Sequence, residues 1–285
     1  MSIKIAENAA VLLNKLKEKK PLVHSITNYV TVNDCANILL AIGASPIMAD
    51  DLREAADITS IASSLVINIG TLNEITIESM IASGKKANEV GIPVVLDPVG
   101  AGASQFRNET VKRILEEVKI SVLRGNMSEA KFIAGLENET KGVDASEEDL
   151  KSGNDEGLRV AKKLAQRFEC NVAITGVCDI ISDGEKSVVL ENGTKMLSSV
   201  TGTGCMTTAL VGAYLGACET SEDYFTAAAA GIMSMGICGE IAEEKAGSIG
   251  LGSFHMAIID AVSNLNGSAV EERAKIQYLD TLNNF

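Results

Sequence analysis

The chain has 285 residues, of which 46% are hydrophobic and 22% are charged, and its formal net charge at pH 7 is −13. This length is enough to bury most of the apolar surface of one large or two small domains. The strongly acidic balance argues against nucleic acids and anionic membrane surfaces as partners. If the ligand is a polyphosphate, backbone amides, a divalent metal and a few well-placed cations have to hold it.

Cysteine usage and the first residues predict the compartment. The six cysteines form no CxxC pair and show no zinc-binding spacing, so we expect small, mostly buried hydrophobic residues in a reducing cytoplasm. They are Cys35, Cys170, Cys178, Cys205, Cys218 and Cys238. The first residues show no signal-peptide pattern, and we expect no apolar run of transmembrane length. We therefore expect a soluble cytoplasmic protein without a membrane partner.

Short β-rich segments alternate with amphipathic helical patterns over the first part of the chain. The predicted buried strands cover residues 22–27, 45–48, 65–69, 93–96, 120–123 and 172–175. Helical patterns lie between them, for example at 33–41, 75–90, 109–118 and 157–168. Apolar strands joined by helices are typical of a parallel sheet that is covered on both faces. The pattern predicts a doubly wound α/β fold.

The second part of the chain predicts a different end to the sheet. Three closely spaced runs, at 179–182, 187–191 and 196–199, are separated by Asp183-Gly184 and Asn192-Gly193, which are hairpin dipeptides. The sheet should therefore finish with antiparallel strands. Residues 202–265 should be largely helical, and the acidic stretch 137–157 should be a surface excursion. Because no repeat or shift in composition divides the chain, we expect one domain over residues 1–285.

The segment 199–208, Ser-Val-Thr-Gly-Thr-Gly-Cys-Met-Thr-Thr, contains two glycines one residue apart. A small-residue apolar helical pattern follows it from Ala209 to Ala217. A glycine turn before a helix presents free N–H groups at the positive end of the helix, where anions bind. Cys205 should lie on the first turn of that helix. No Walker motif or dinucleotide fingerprint matches, and a turn that only packs the helix against the sheet is the alternative.

Two neighbouring predicted strands end in groups suited to a nucleotide and a metal. Ligands of doubly wound sheets gather at the carboxyl ends of the strands. Asp97 ends one strand, and the next is followed by Arg124, which suits a phosphate, and by Asn126 and Glu129, which suit a hydrated Mg²⁺. Two alternatives stay open here: Asp97 begins a turn, and Asn126 with Glu129 forms a capping box.

Two further strand ends carry polar residues. Thr175 and Gly176 close one strand, where a simple turn is the alternative to contact with a nucleotide. His24 lies at the end of the first strand and is one of two histidines in the chain. A single histidine is more often a hydrogen-bonded structural group than a base. No GxSxG elbow supports Ser-His-Asp chemistry.

These segments together resemble the hydroxyethylthiazole kinase family of the ribokinase-like superfamily. The matching segments run in the family's order from about residue 20 to residue 260: PLVHSITNYVTVNDCANILLAIGASPIMADD, VINIGTL, PVVLDPVGAG, LRGNMSEA, AITG and SVTGTGCMTTALVGAY. The resemblance implies a three-layer, mostly parallel sheet with helices on both faces. It also implies phosphorylation of the alcohol of 4-methyl-5-(2-hydroxyethyl)thiazole, in thiamine salvage, with ATP as co-substrate and Mg²⁺ as cofactor.

The resemblance assigns the nucleotide side of the site to four residues. Arg124 and Thr175 correspond to ATP-binding positions. Asp97 and Glu129 correspond to the acidic groups near the phosphates and the metal. Phosphoryl transfer depends mostly on positioning and on neutralising charge, which agrees with these residue types.

The resemblance assigns the alcohol side of the site to four others. Met48 and Gly202 correspond to thiazole-binding positions, and Asn28 belongs to the family's substrate-side segment. Cys205 falls where related sugar and vitamin kinases have an aspartate base, and a cysteine there is normal in this family. The family also implies a homotrimer with active sites at the subunit interfaces.

Three other functions remain as alternatives. The nearest is a kinase for another small vitamin precursor, such as hydroxymethylpyrimidine. An ADP-dependent lyase on the same fold would use nucleotide chemistry without the thiazole. A nucleotide sensor without catalytic activity is the third, and the complete set of acidic groups and the anion-binding turn argue against it.

Overall fold

The computed structural model describes residues 4–136 and 147–279. Nine strands within these residues form one sheet in the order β2-β1-β3-β4-β5-β6-β7-β8-β9. Neighbours from β2 to β6 are parallel, and β6 to β9 are antiparallel. The strands are β1 (Leu22–Ile26), β2 (Ser45–Ile47), β3 (Ser64–Asn68), β4 (Val94–Asp97), β5 (Val122–Asn126), β6 (Asn171–Thr175), β7 (Asp179–Ser182), β8 (Ser187–Leu190) and β9 (Ile276–Leu279).

Helices cover both faces of this sheet. They are α1 (Ile5–Lys19), α2 (Val32–Ile42), α3 (Ala55–Ile61), α4 (Glu74–Val90), α5 (Gln105–Glu117), α6 (Met127–Ala134), α7 (Glu147–Phe168), α8 (Thr203–Ala217), α9 (Tyr224–Ala246), α10 (Leu251–Ser263) and α11 (Gly267–Arg273). One apolar core holds α1, α2 and α8 to α11 against the sheet, and a second holds α3 to α7 against its other face. Alternate strand residues supply the two cores: Val66 and Val95 face the first, and Leu65 and Leu96 face the second. The three-layer doubly wound fold is therefore confirmed.

Glycines let α8 lie unusually close to its neighbours. A Cβ on Gly212 would lie 2.4 Å from a Val66 methyl group on β3, and a Cβ on Gly231 of α9 would lie 2.7 Å from the backbone of Val211. Any larger side chain would push α8 off the sheet. The small residues noted in the sequence therefore fix where the first turn of α8 begins.

The final strand of the sheet was predicted at the wrong place. Residues 196–199 lie in a 3₁₀ helix, Lys195–Ser199, and the strand next to β8 is β9, which has no counterpart in the sequence prediction. Asn192 does not form a hairpin: its side chain donates to Arg273 O and accepts from Lys275 N, which fixes the segment that leads into β9. The other predicted hairpin, at Asp183-Gly184, joins β7 and β8 and is confirmed.

One other local prediction needs correction. Within the acidic stretch at 137–157, residues 137–146 lie outside the described residues, and the remainder belongs to α7 rather than to a surface excursion.

One segment, Ser221–Ala246, is long and apolar enough to cross a membrane, contrary to the expectation from the sequence. In the most apolar 18-residue stretch of this segment, 83% is buried inside the fold. Its helix α9 packs against α8, α10 and α1. These contacts place it as a core helix of this fold.

Candidate active site

The predicted strand ends meet at one edge of the sheet. Because β1 and β3 to β6 are parallel, their carboxyl ends lie side by side: Asn68 pairs with Asp97 across β3 and β4, and Asn126 pairs with Thr175 across β5 and β6. Helix α8 packs on β1, β3 and β4 and begins at this edge. Its first turn carries Cys205, as predicted.

Asp97 is buried in this edge, with 1% of its surface exposed. Its Oδ2 accepts hydrogen bonds from Asn68 Nδ2 (2.9 Å) and Thr208 Oγ1 (2.7 Å), and Arg124 Nη1 lies 3.7 Å away. Its Oδ1 has no hydrogen-bond partner in the described part of the chain. Burial outweighs the nearby guanidinium and raises the pKa of Asp97 to about 6. A buried acceptor without a partner is a place where a cation or a ligand donor would be stabilised.

Cys205 lies between two asparagine side chains. Asn28 Nδ2 is 3.2 Å from its Sγ, and Asn68 Nδ2 is 3.3 Å from it. Asn28 also donates to Asn68 Oδ1 at 3.1 Å, so the three residues form one connected group. Through Asn68 this group reaches Asp97. The structure therefore connects Asp97, from the acidic side of the predicted site, with Cys205, from the alcohol side, through Asn68.

Arg124 connects the ends of β5 and β6 to α8. Its Nη2 donates to Thr175 Oγ1 at 2.6 Å, so the two predicted ATP-binding residues are partners. A Cβ on Gly204 would lie 3.0 Å from Arg124 Nη1, which puts the guanidinium against the first turn of α8. Its buried Nε has no partner in the described residues. A guanidinium with spare donors beside free helix amides suits a phosphate.

Glu129 forms the capping box that was one of its two predicted roles. Asn126 Oδ1 accepts from Glu129 N, and Glu129 Oε2 accepts from Asn126 N at 2.8 Å. Its Oε1 accepts from Gly100 N at 2.9 Å, so the same carboxyl also holds the glycine segment after β4. Each oxygen thus accepts one backbone N–H. The cap does not by itself exclude a metal.

Gly202 and Met48 lie at the periphery of this group. Gly202 is the N-cap of α8 with φ +88°, and a Cβ there would meet Thr31 at 3.0 Å and Asp34 at 3.2 Å. The turn therefore lies against the start of α2, close to Asn28, which accepts hydrogen bonds from Thr31 N and Oγ1. Met48 directly follows β2 and is half-buried against the core that also contacts Cys205.

His24 is a structural residue, as expected of a single histidine. Its Nδ1 lies 2.8 Å from Thr59 Oγ1, and its Nε2 donates to Ala49 O at 2.7 Å. Burial lowers its pKa below the usual value for histidine. Because both ring nitrogens have hydrogen-bond partners within the fold, neither is free to act as a base.

Three residues of the site were missed by the sequence analysis: Asn68, Thr208 and Arg107. Asn68 is a polar residue at the end of an otherwise apolar strand, which is a usable signal. Arg107 lies on α5 and donates to Ile69 O (2.5 Å), Val99 O (2.7 Å) and Gly70 O (2.7 Å). It therefore ties together the loops after β3 and β4, and nothing in its local sequence indicated this.

The burial of Asp97 predicts a pH-dependent gain in stability on substitution. The pKa of Asp97 in the folded protein, about 6, lies above its usual value. The free energy of unfolding of the wild type should therefore decrease as the pH rises from about 4 through about 6. Asp97→Asn has no such loss. The variant's melting temperature minus that of the wild type should therefore increase between pH 4.5 and pH 7.5, measured by calorimetry. A difference that stays constant or decreases would contradict the assignment.

Comparison with known proteins identifies the family. Residues 13–268 match the family model described as "Hydroxyethylthiazole kinase family". The chain is 72% identical over 277 residues to hydroxyethylthiazole kinase from Clostridium beijerinckii, covering 97% of this chain and 99% of that protein. It is 63% identical over 265 residues to the enzyme of the same name from Ruminiclostridium cellulolyticum, covering 93% and 95%.

Solved structures agree with this result. The fold superimposes on hydroxyethylthiazole kinase protein from Pyrococcus horikoshii with a TM-score of 0.85 at 36% identity, covering 95% of this chain and 99% of that chain. A pyridoxal kinase from Staphylococcus aureus shares the fold alone, with a TM-score of 0.55 at 16% identity, covering 79% and 88%. The ribokinase-like architecture is thus confirmed. The chain belongs to the hydroxyethylthiazole kinase family, and it is a kinase.

Proposed function

We propose that this protein transfers the γ-phosphoryl group of ATP to the hydroxyl of 4-methyl-5-(2-hydroxyethyl)thiazole. The observation that carries the proposal is the connected group Cys205, Asn28, Asn68 and Asp97 at the start of α8. It sets an acceptor for the alcohol proton next to a buried carboxylate and a guanidinium. Membership of the family supports the choice of substrate.

Each side of the site has a distinct role in this reaction. The alcohol oxygen attacks the γ-phosphorus, the bond to the leaving ADP breaks, and the alcohol proton passes to the sulfur of Cys205, which has to be a thiolate to accept it. The backbone amides of residues 201–205 and the Arg124 guanidinium stabilise the charge on the transferring group. Because the transition state is loose, the proton leaves late and the contribution of the base is secondary to that of charge stabilisation.

A magnesium ion fits the acidic side by its donor chemistry. Asp97 has a buried Oδ1 without a partner in the described residues, and each Glu129 oxygen accepts only one backbone N–H. Among the side chains that the structure describes, no three His, Cys, Asp or Glu residues form a group that could hold a metal ion, so phosphate oxygens and water would complete the shell, as Mg²⁺ prefers. The ion would neutralise phosphate charge.

The thiazole ring is assigned to the other side of Cys205. Met48 offers a thioether, which packs adaptably on flat rings. Gly202 keeps the turn before α8 free of a side chain, and Asn28 links that turn to Cys205. A small apolar ring suits this combination better than a sugar with many hydroxyl groups.

Incubation with ATP, Mg²⁺ and a panel of alcohols tests the proposal. The products are weighed by mass spectrometry. We expect a mass increase of one phosphate on the thiazole alcohol. Product with hydroxymethylpyrimidine but none with the thiazole would favour the other vitamin kinase. Dehydration of a substrate without phosphate transfer would indicate the lyase, and nucleotide binding without any product would indicate a sensor.

Substitutions on the two sides should separate the two substrates. Arg124→Ala should raise the KM for ATP by about ten- to a hundredfold, because a charge-assisted phosphate contact contributes about 1.5–3 kcal/mol. Met48→Ala should instead raise the KM for the thiazole. Steady-state kinetics with each substrate varied in turn measures both effects. Equal effects of both variants on both substrates would mean that the two sides are misassigned.

We further propose that residues 1–285 form one domain that acts as a cytoplasmic homotrimer with active sites at the subunit interfaces. The continuous nine-stranded sheet supports one domain, and the six free cysteines support a reducing compartment. Exposed apolar side chains lie on α2 and α10, which pack together, at Leu40 and Met256, and Tyr29 directly follows Asn28 of the site. Light scattering coupled to gel filtration gives the number of subunits.

A further inference from the structure

We propose that Asn28 and Asn68 are a pair of positioning residues that hold the Cys205 sulfur for the alcohol. This inference rests on the proposed function, but it assigns a role that neither residue received from the sequence. Asn68 was not singled out there, and Asn28 was expected only to contact the thiazole.

The hydrogen bonds of Asn68 fix the orientation of its amide group. Its Oδ1 accepts from Gly70 N (2.9 Å) and from Asn28 Nδ2 (3.1 Å), and its Nδ2 donates to Asp97 Oδ2 (2.9 Å). A flipped amide would set an oxygen against the Asp97 carboxylate and an N–H group against the Gly70 N–H. The second hydrogen of Nδ2 therefore has to lie on the side of Cys205 Sγ, 3.3 Å away.

Asn28 is fixed in the same way from the other side. Its Oδ1 accepts from both Thr31 N and Thr31 Oγ1, at 3.1 Å each. One hydrogen of its Nδ2 goes to Asn68 Oδ1, and the other goes to Cys205 Sγ at 3.2 Å. Both asparagines are buried, and each uses both donors and both acceptor positions within the protein.

The sulfur therefore accepts two N–H donors from fixed directions. As the thiolate that accepts a proton, Sγ is bonded only to Cβ and has three lone-pair positions, so the two amides leave one position for the substrate alcohol. The same two donors would serve a carboxylate equally well, because a carboxylate is also an acceptor. A carboxylate at this position can therefore accept the same two hydrogen bonds.

A double-mutant cycle tests whether the asparagines act through Cys205. Asn28→Asp keeps the shape and the acceptor for Thr31 but removes the donors to Sγ and to Asn68 Oδ1, and Asn68→Ala removes the second donor to Sγ. In the wild-type background each should lower kcat by about tenfold while changing the KM for ATP less than threefold. In the Cys205→Ala background each should lower kcat by less than threefold, because the group that they position is gone.

Asn88→Ala is the matched control. Asn88 likewise donates to Lys119 O and accepts from Lys119 N, but it lies at the opposite edge of the sheet. The Asn88→Ala variant should have a lower melting temperature and an unchanged kcat in both backgrounds. If Asn28→Asp and Asn68→Ala lower kcat by the same factor in both backgrounds, the positioning role is overturned. If one of them fails to fold, the other cycle decides. A wild type without thiazole turnover contradicts the proposed function instead.

Discussion

Cys205→Ala should lower kcat by about a hundredfold and change the KM for ATP less than threefold. A general base contributes about 10²–10⁴-fold, and the late loss of the alcohol proton in a loose transition state favours the lower end. The contacts of Arg124 with Thr175 and with the first turn of α8 do not involve the sulfur, so nucleotide binding should persist. Single-turnover kinetics and a nucleotide titration measure the two quantities separately.

The partner variant Cys205→Asp makes the test decisive. Its carboxylate can accept the hydrogen bonds of Asn28 and Asn68, so we expect it to retain substantial activity. If Cys205 only packs the turn, alanine would be nearly silent and aspartate would be the damaging change, because it adds a charge beside Asp97. Melting curves of both variants exclude misfolding. An active alanine variant beside an inactive aspartate variant would end the catalytic interpretation.

Removal of divalent metal should reduce turnover by at least about a hundredfold. The net charge of −13 and the buried carboxylate of Asp97 make binding of a polyphosphate without a metal ion unfavourable. The Arg124 guanidinium beside the first turn of α8 offsets only part of the phosphate charge. Excess EDTA should stop product formation, and added Mg²⁺ should restore it. The matched control is EDTA that has been saturated with Mg²⁺ beforehand. Unchanged turnover in free EDTA would contradict the metal assignment.

The parallel part of the fold could be predicted from the sequence because its strands, except the half-buried edge strand β2, are mostly buried on both faces. Such strands form short, continuous apolar runs that end in polar residues, and Asp97, Arg124 and Thr175 were found at these ends. The last strand, β9, could not be found in this way, since its pairing with β8 is fixed by the Asn192 side chain across 81 residues of sequence. A pattern within a short segment of sequence does not indicate such a long-range contact.

The site was only partly predictable for the same reason. Sequence showed that Cys205 begins a helix and that Asn28 follows a strand, but their contact spans 177 residues. Asn68 gave a weak signal, because one asparagine at a strand end is usually a turn residue. The capping box of Asn126 and Glu129 was visible from its spacing, since capping is a local interaction.

Arg107 has a consequence for the entropy of ligand binding at this edge of the sheet. The segment after β4 contains Gly100 and Gly102, which have positive φ angles and would otherwise leave the backbone with many accessible conformations. Three hydrogen bonds from one guanidinium order this segment, together with the loop after β3, when the chain folds. The loss of backbone freedom is then already complete before a ligand arrives. A ligand that bound at this segment would meet a preorganised surface, and its affinity would not be reduced by the ordering of the loop.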